Sequence, residues 1–417
     1  MNNLHKYAFS ELYDISSGIS STKEQAGHGA PFVSFSTVFN NYFLPDELTD
    51  FMDTTAAEQE KCSVKKGDIL ITRTSETVDE LAMSCVVLKD YPKATFSGFV
   101  KRLRPKKTGI AYDKYMAFYL RSEYFRKVIN AKTIMTLRAS FNEDIFSFLE
   151  LYLPDYEEQV KIGDFLYNIE KKIQCNKKIN DNLQQQLKLL YDYWFTQFDF
   201  PDENGKPYRS SGGAMVWNEQ LKREVPFDWQ ITGIKEITNI TWGQCPDGKN
   251  ILDKTAQGNN VLDYCSGAGD MKGGFLVDCQ AKTDNSKRLA HKNDILVSVA
   301  GKIGDMCVVD HTISLGRAAM AYTVEDEKEI TFVYLTLQAL NRKMTTISTG
   351  SIQKVINSDH IDDFIFPYQK DIVLRFGELT QDIYFELIKL SHENRQLKKL
   401  RDWLLPMLMN GQATISD

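Results

Sequence analysis

Lys101, Arg102, Arg104, Lys106 and Lys107 crowd into one short run of this chain. That run, with Lys93, lies between Asp90 and Asp113, and no carboxylate interrupts it. Ammonium and guanidinium groups at this density suit the phosphates of a nucleic acid. A charge run can equally be a solvated face. Arg73 and Arg138 stand in the polar runs TRTSET and TLRASFN. A planar guanidinium in such a run could reach a base edge, since it pairs two-pronged with guanine. A second set follows much later: Arg288, Lys302, Arg317, Gln353 and Lys354. Gly301 and Gly304 flank Lys302 and leave room for a backbone to approach.

Other chemistry is scarce. His5, His28, His291, His311, His360 and His392 fall singly, without metal-ligand spacing. Seven cysteines form no C-x-x-C pair, so neither a zinc site nor a disulfide framework is indicated, and a reducing cytoplasm is the expected compartment. No Walker loop occurs. The N-terminus, MNNLHKYAFSELYD, has no signal-peptide pattern, and no apolar run approaches the roughly 20 residues of a membrane span. A net charge of −6 excludes wrapping nucleic acid over the whole surface; the basic residues must act locally.

What must position them is a pattern that occurs twice. VKKGDILIT (Val64–Thr72) reads as a polar turn feeding a buried strand, and AHKNDILVS (Ala290–Ser298) repeats it. Met83–Leu88 and Cys307–Val309 are the next strand candidates. Thr95–Leu103 alternates, which predicts a strand that carries its basic residues out of the sheet; Gly316–Thr323 takes the corresponding place. Helical periodicity follows in Tyr112–Asn130 and again in Phe332–Leu340. Leu153-Pro154 closes the first block and is matched with Phe366-Pro367 in the second. The offset between matched points shrinks along the chain, so the duplicated blocks differ in loop length. Phe200–Gly213, rich in proline, glycine and serine, reads as a linker.

Each block leads into a long helical stretch. In Asp155–Phe195, Ile162, Leu166, Ile169, Ile173, Leu183, Leu187 and Leu190 step by threes and fours, which is a coiled-coil seam. Asn176 and Asn180 interrupt it. They either fix the register, mark where the helices diverge, or face another subunit. From Ile372 to Met409, Phe376, Ile383, Leu390, Leu397 and Leu404 recur at heptad spacing, with Leu379, Leu387 and Leu400 on the same side. Two such rods would pack antiparallel with one globule at each end; the plainer alternative is two unrelated core helices. Similar globules at a fixed distance suit DNA, whose grooves recur at a fixed pitch.

Leu153–Ile162 (LPDYEEQVKI), running into IQCNKKINDN and Tyr193-Trp194-Phe195, resembles the central region of specificity subunits of type I restriction-modification systems. Ser348–Gln353 (STGSIQ) followed by Ile361–Pro367 resembles the end of their second target-recognition domain. The likeness covers nearly the whole chain. It departs from the family pattern at Gln369-Lys370-Asp371, where the first rod has Glu-Glu-Gln, and at Leu137–Ser140, where the first block lacks the Gly-Ser run. The resemblance implies an α+β protein with two similar target-recognition domains, residues 1–154 and 200–368. An antiparallel two-helix coiled coil, residues 155–199 and 369–417, separates them with pseudo-twofold symmetry. It implies a non-catalytic subunit that binds double-stranded DNA and reads a split target. Two modification subunits would dock on it, bringing S-adenosylmethionine to methylate adenine. Restriction subunits, two where they join, would add ATP- and magnesium-dependent cleavage. No cofactor is expected in this chain.

Two other readings stay open. VLDYCSGAGD (Val261–Asp270) looks like the S-adenosylmethionine loop of a stand-alone methyltransferase, but Met271-Lys272-Gly273-Gly274 starts a helix poorly and no Asn/Asp-Pro-Pro-aromatic tetrapeptide occurs. A coiled-coil scaffold that does not bind DNA is the other.

Overall fold

A computed structural model of the chain describes residues 4–75, 80–132, 139–272, 274–347, 361 and 364–415. The contacts divide it into two units: Met1–Ile173 with Gln396–Asp417, and Gln174–Arg395. Among the described residues, no helix is long and apolar enough to cross a membrane.

The first unit is built on a four-stranded antiparallel sheet ordered Tyr13–Ser17, Val100–Pro105, Ile69–Thr72, Ser84–Val86. Successive residues of a strand point to opposite faces. Here both faces are covered. Ile69, Ile71 and Leu103 pack with Met116, Phe118, Phe125 and Ile129 from the helices Asp113–Tyr119 and Glu123–Lys132. Leu70, Cys85 and Val100 pack with Phe32, Val33 and Phe96 from a second small sheet, Asp50–Met52, Ala26–Val33, Thr95–Phe96. The sequence stretch Thr95–Leu103 is therefore two strands in two sheets, joined by a turn at Ser97-Gly98-Phe99. The helical stretch Tyr112–Asn130 is likewise two helices, because Ser122 caps the second: its hydroxyl accepts the Phe125 N–H.

The second unit repeats this plan. Its sheet runs Asn239–Trp242, Ala319–Thr323, Ile295–Ser298, Met306–Val308. Registers correspond residue for residue: Ile69 faces Leu103 and Val86, and Ile295 faces Tyr322 and Val308. One face joins the helix-lined core through Ile295, Val297 and Tyr322. The other joins a sheet-lined core through Leu296, Cys307 and Ala319. The matched end of the block needs correction. Phe9 N–H donates to Leu149 O and Ile234 N–H to Phe364 O, so the partner of Phe366 is Leu151, not Leu153. Prolines 154 and 367 are thus not equivalent: Pro154 follows the strand Glu150–Leu153, whereas Pro367 lies within Ile365–Tyr368, facing Ile231. Phe200–Gly213 is an ordered part of this unit, with Phe200 stacked on Trp229 and Tyr208, and Asp199 accepting from Ser210 N–H and Oγ.

The two long helices are Tyr156–Tyr191, about 54 Å at 1.5 Å per residue, and Lys370–Met409, about 60 Å. A turn of π-helix, Asp192–Thr196, ends the first and drives Trp194 and Phe195 against Phe376. In the second unit they pair antiparallel: Trp194 meets Phe376, Asn180 Nδ2 donates to Ser391 Oγ (3.1 Å), and Asn176 Nδ2 donates to Glu393 Oε2 (2.7 Å). In the first unit Arg401 pairs with Glu170 at 2.6 Å, and Leu405, Leu408 and Met409 share a core with Ile162 and Leu166. The reading as unrelated core helices therefore fails. Ile162, Leu166, Ile169, Ile173, Leu187, Phe376 and Leu390 are buried, while Leu183, Leu190, Ile383, Leu397 and Leu404 are partly buried. Leu387 is buried beside the second seam as expected, but Leu379 and Leu400 are exposed and do not flank it; Val373, Thr380, Tyr384 and Asn394 fill it instead. Tyrosine and polar residues at those positions hid the true stripe from a leucine count. Gly163 and Gly377 lie one per helix, where a Cβ would come within 2.7 Å of Tyr115 N and 1.8 Å of Lys328 O. Only glycine lets each helix seat that closely on its own lobe.

Candidate nucleic-acid interface

The basic run does not lie on one surface. Lys101 and Arg102 are 7% and 8% exposed, because both faces of their strand are covered. Lys101 Nζ donates to Ser17 Oγ at 2.8 Å. Arg102 donates to the carbonyls of Ser63 (2.6 Å) and Lys61 (3.3 Å), and burial lowers its pKa. Arg104 forms a two-pronged pair with Asp68, both contacts 2.7 Å, and that carboxylate raises its pKa. These three residues therefore support the lobe from within, and the expectation that the strand carries them outward is corrected. Lys106 and Lys107 are exposed, although Lys106 donates to Ser10 O and pairs with Asp14.

Arg73 lies at the opposite end. It follows Thr72, which faces Val100, the first residue of the strand that Lys106 and Lys107 follow. A six-residue strand spans about 20 Å, so the two groups stand at opposite ends of the sheet. Arg73 is exposed, and its side chain has no hydrogen bond or ion pair among the described residues. Phe99, exposed at 60%, neighbours it: Arg73 N–H donates to Phe99 O at 2.8 Å. Reading Thr95–Leu103 as one strand concealed Phe99; the signal was Ser97-Gly98, a turn pair inside an alternating run. Arg138 lies outside the described residues.

The corresponding end of the second unit gathers Arg288, Lys302 and Arg317. Leu315 N–H donates to Arg288 O, which brings Arg288 beside the turn that holds Arg317. Both arginines are exposed and neither side chain forms a hydrogen bond or ion pair among the described residues, although the Arg317 charge lies close enough to Cys245 to act on its thiol. Lys302 pairs with Asp305 at 2.5 Å. Gln353 and Lys354, like the Ser348–Gln353 run, lie outside the described residues.

The stretch Val261–Asp270 is used up by its own fold. Leu262–Cys265 is a strand and Ala268–Met271 a single helical turn. Buried Asp270 accepts from Ser266 N–H and Oγ (2.7 and 2.6 Å) and from Gln280 N–H (2.9 Å). A Cβ at Gly267 would stand 2.8 Å from the Ala318 side chain. Gly267 serves packing, whereas a Cβ on Gly269 would meet open space. Among the described residues, no cluster of histidine, cysteine and carboxylate could hold a metal.

One charge cluster, built around the buried carboxylate of Asp310, escaped the sequence reading. His311 bridges Asp310 (Nδ1, 2.7 Å) and Asp263 (Nε2, 2.9 Å), which raise its pKa to about 9. Burial pushes Asp310 upward, but His311, Arg395 at 2.5 Å and His392 at 3.4 Å prevail and hold it at about 2. The cluster clasps the sheet lobe of the second unit to its stretch of the second long helix. Asp263 is 48 residues from His311, so spacing could not reveal it.

Known proteins give this arrangement a context. Residues 5–185 and 226–371 match the model of the type I restriction modification DNA specificity domain. The HindI specificity subunit of Haemophilus influenzae, a type I restriction enzyme component, is 24% identical over 96% of this chain and 98% of its own. The MjaIX specificity subunit of Methanocaldococcus jannaschii is 23% identical over 95% and 89%. The crystal structure of a type I restriction-modification S subunit from M. genitalium superposes with a TM-score of 0.59 at 15% identity, over 98% of this chain and 96% of that one. That last likeness is one of fold.

Proposed function

This chain belongs to the type I restriction modification DNA specificity family, and from that premise we propose that it is the non-catalytic specificity subunit of a type I restriction-modification complex. It binds double-stranded DNA and reads a target split into two half-words. The observation that carries this reading is the duplication: one sheet topology and one strand register occur once in each matched segment, with different exposed side chains. Equal scaffolds with unequal surfaces suit two unequal words. The long helices set the spacer between the words. Exposed apolar side chains along them, including Phe165, Leu189 and Trp403, offer seats to two modification subunits. S-adenosylmethionine belongs to those subunits; ATP and magnesium belong to restriction subunits where these join.

Methylome sequencing of cells carrying the chain with its modification subunit tests this reading. A bipartite methylated target is expected; a single continuous word, or none, overturns it. The spacer role has its own test. Because the helices pair antiparallel, a heptad must be inserted into both, between Gln174 and Cys175 and between Asn394 and Arg395. Each helix then gains about 10 Å. The spacer should lengthen by at most about three base pairs at ~3.4 Å each, with both words unchanged. A changed word, or an unchanged spacer, refutes the spacer role.

A further inference from the structure

Both lobes hold the same turn at the same end of the central sheet, and the two turns carry different side chains. In the first unit, Ser97 N–H donates to Val33 O (3.0 Å), Gly98 N–H to Ile19 O (2.6 Å) and Val100 N–H to Ser97 O (2.9 Å). In the second, Gly316 N–H donates to Cys265 O (2.8 Å) and Ala319 N–H to Gly316 O (3.0 Å). The exit of the neighbouring strand ties down both: Arg73 N–H to Phe99 O, and Val299 N–H to Ala318 O (2.9 Å). Phe99 is thus equivalent to Ala318, and Gly98 to Arg317. A glycine permits each crossing. A Cβ on Gly18 would stand 2.3 Å from Phe96 O, and one on Gly243 would stand 2.1 Å from Gly316 O.

A turn pinned by this many backbone bonds is rigid, and rigidity is what a reading element needs. What it displays adds nothing to the fold. The Phe99 ring is 60% exposed, and Arg73, whose backbone N–H is bonded to the Phe99 carbonyl, carries an exposed guanidinium with no hydrogen bond or ion pair among the described residues. On the equivalent turn, one position before the counterpart of Phe99, Arg317 is exposed with no hydrogen bond or ion pair from its side chain among the described residues. In a major groove, an apolar ring contacts the thymine methyl, and arginine takes the N7 and O6 of guanine.

We propose that these equivalent turns read bases: Phe99 contacts a thymine methyl in the first half-word, and Arg317 contacts a guanine edge in the second. The proposal rests on the DNA-reading role above.

The test uses the full chain assembled with its modification subunits and selects from randomised duplex DNA. Wild type should yield a bipartite target. Phe99→Ala should flatten preference at a T·A pair in one half-word, and Arg317→Ala at a G·C pair in the other. Each loss should be roughly five- to 100-fold for arginine, and smaller, about three- to tenfold, for the methyl contact. Uracil in place of that thymine, which removes only the methyl, should weaken wild type and leave Phe99→Ala unaffected. 7-Deazaguanine should behave in the same way toward Arg317→Ala. Both side chains are exposed, so unchanged melting temperatures are expected. A bipartite target that neither variant alters overturns the proposal and leaves the role standing. Equal weakening on every sequence, with a shallower salt dependence, makes these residues phosphate contacts and also overturns it. Failure of wild type to select a bipartite target overturns the role itself.

Discussion

Removing Arg104 separates its two possible roles, phosphate contact and internal counter-ion. The Asp68 side chain is fully buried and accepts both Arg104 contacts at 2.7 Å, plus the Lys65 N–H at 2.8 Å. Arg104→Ala leaves Oδ1 without a donor among the described residues. Stripping the partner from a fully buried pair costs about 3–5 kcal/mol. The Arg104 side chain is 30% exposed, so water screens part of the attraction, and about 2–4 kcal/mol is expected. The second lobe supplies a control. Asp294 occupies the place of Asp68, accepts the His291 N–H at 2.7 Å, and lies near Thr323, the counterpart of Arg104, which partly offsets the upward push that burial gives its carboxyl. Arg104→Thr should therefore recover part of the loss. Urea unfolding of the full chain measures the change, and hydrogen exchange at Ile69–Thr72 assigns it to the first lobe. Under folding conditions the salt dependence of DNA binding should not change. A loss under about 1 kcal/mol, together with a log–log salt slope lowered by about one, would refute the argument and return Arg104 to the phosphates.

Three further outcomes are expected. Lys106→Ala with Lys107→Ala should leave DNA affinity within about twofold, whereas Arg73→Ala should weaken it, since they occupy opposite ends of the strand; filter binding across salt concentrations decides which end meets the duplex. The His311 clasp predicts a pH dependence. Its pKa is raised in the fold to about 9 from an ordinary value near 6.5, so its stabilisation is complete below about pH 6.5 and is lost as pH rises through about 9. Thermal melting of wild type should fall over that window, and that of His311→Gln should not. Asn176→Leu removes a buried amide whose Oδ1 has no partner, so melting temperature should hold or rise while the pairing with Glu393 is lost; a marked fall in melting temperature would show that the amide is needed for stability.

The duplicated plan was legible because its signals are local. The Lys-x-Gly-Asp-Ile-Leu turn and its Lys-Asn-Asp-Ile-Leu partner both build a left-handed residue, Gly67 or Asn293, next to a buried aspartate. Such a turn is written in four adjacent letters. The first seam was legible for the same reason: its period survives two asparagines. The second seam was legible in part: Phe376, Ile383, Leu390, Leu397 and Leu404 are buried or half-buried, but its flanks were hidden because Tyr384, Thr380 and Asn394 fill positions where a coiled coil ordinarily shows aliphatics. The fate of the basic run was the least legible. Alternation decides which residues share a face, but not whether that face meets water. Lys101 and Arg102 are buried because a small sheet on one side and two helices on the other close over the strand, and nothing within the run announces either cover.

The residues that differ between the lobes sort by what they touch. At the Asp68 and Asp294 turns, the backbone bonds are the same in both lobes: Gly67 N–H to Val87 O, Asn293 N–H to Val309 O, and each aspartate carbonyl receiving the valine N–H in return. At the crossings, Gly18 and Gly243 meet the same steric demand. Where a side chain only completes an internal balance, its chemistry varies between the lobes, as with Arg104 and Thr323. Where it faces outward on a pinned turn, as with Phe99 against Ala318 and Gly98 against Arg317, neither size nor charge is held in common. Backbone bonds tolerate any side chain that leaves their geometry intact, so the outward positions are the ones free to change without cost to folding. A scaffold of this kind separates stability from readout, and two copies in one chain can then hold two unrelated half-words on one architecture.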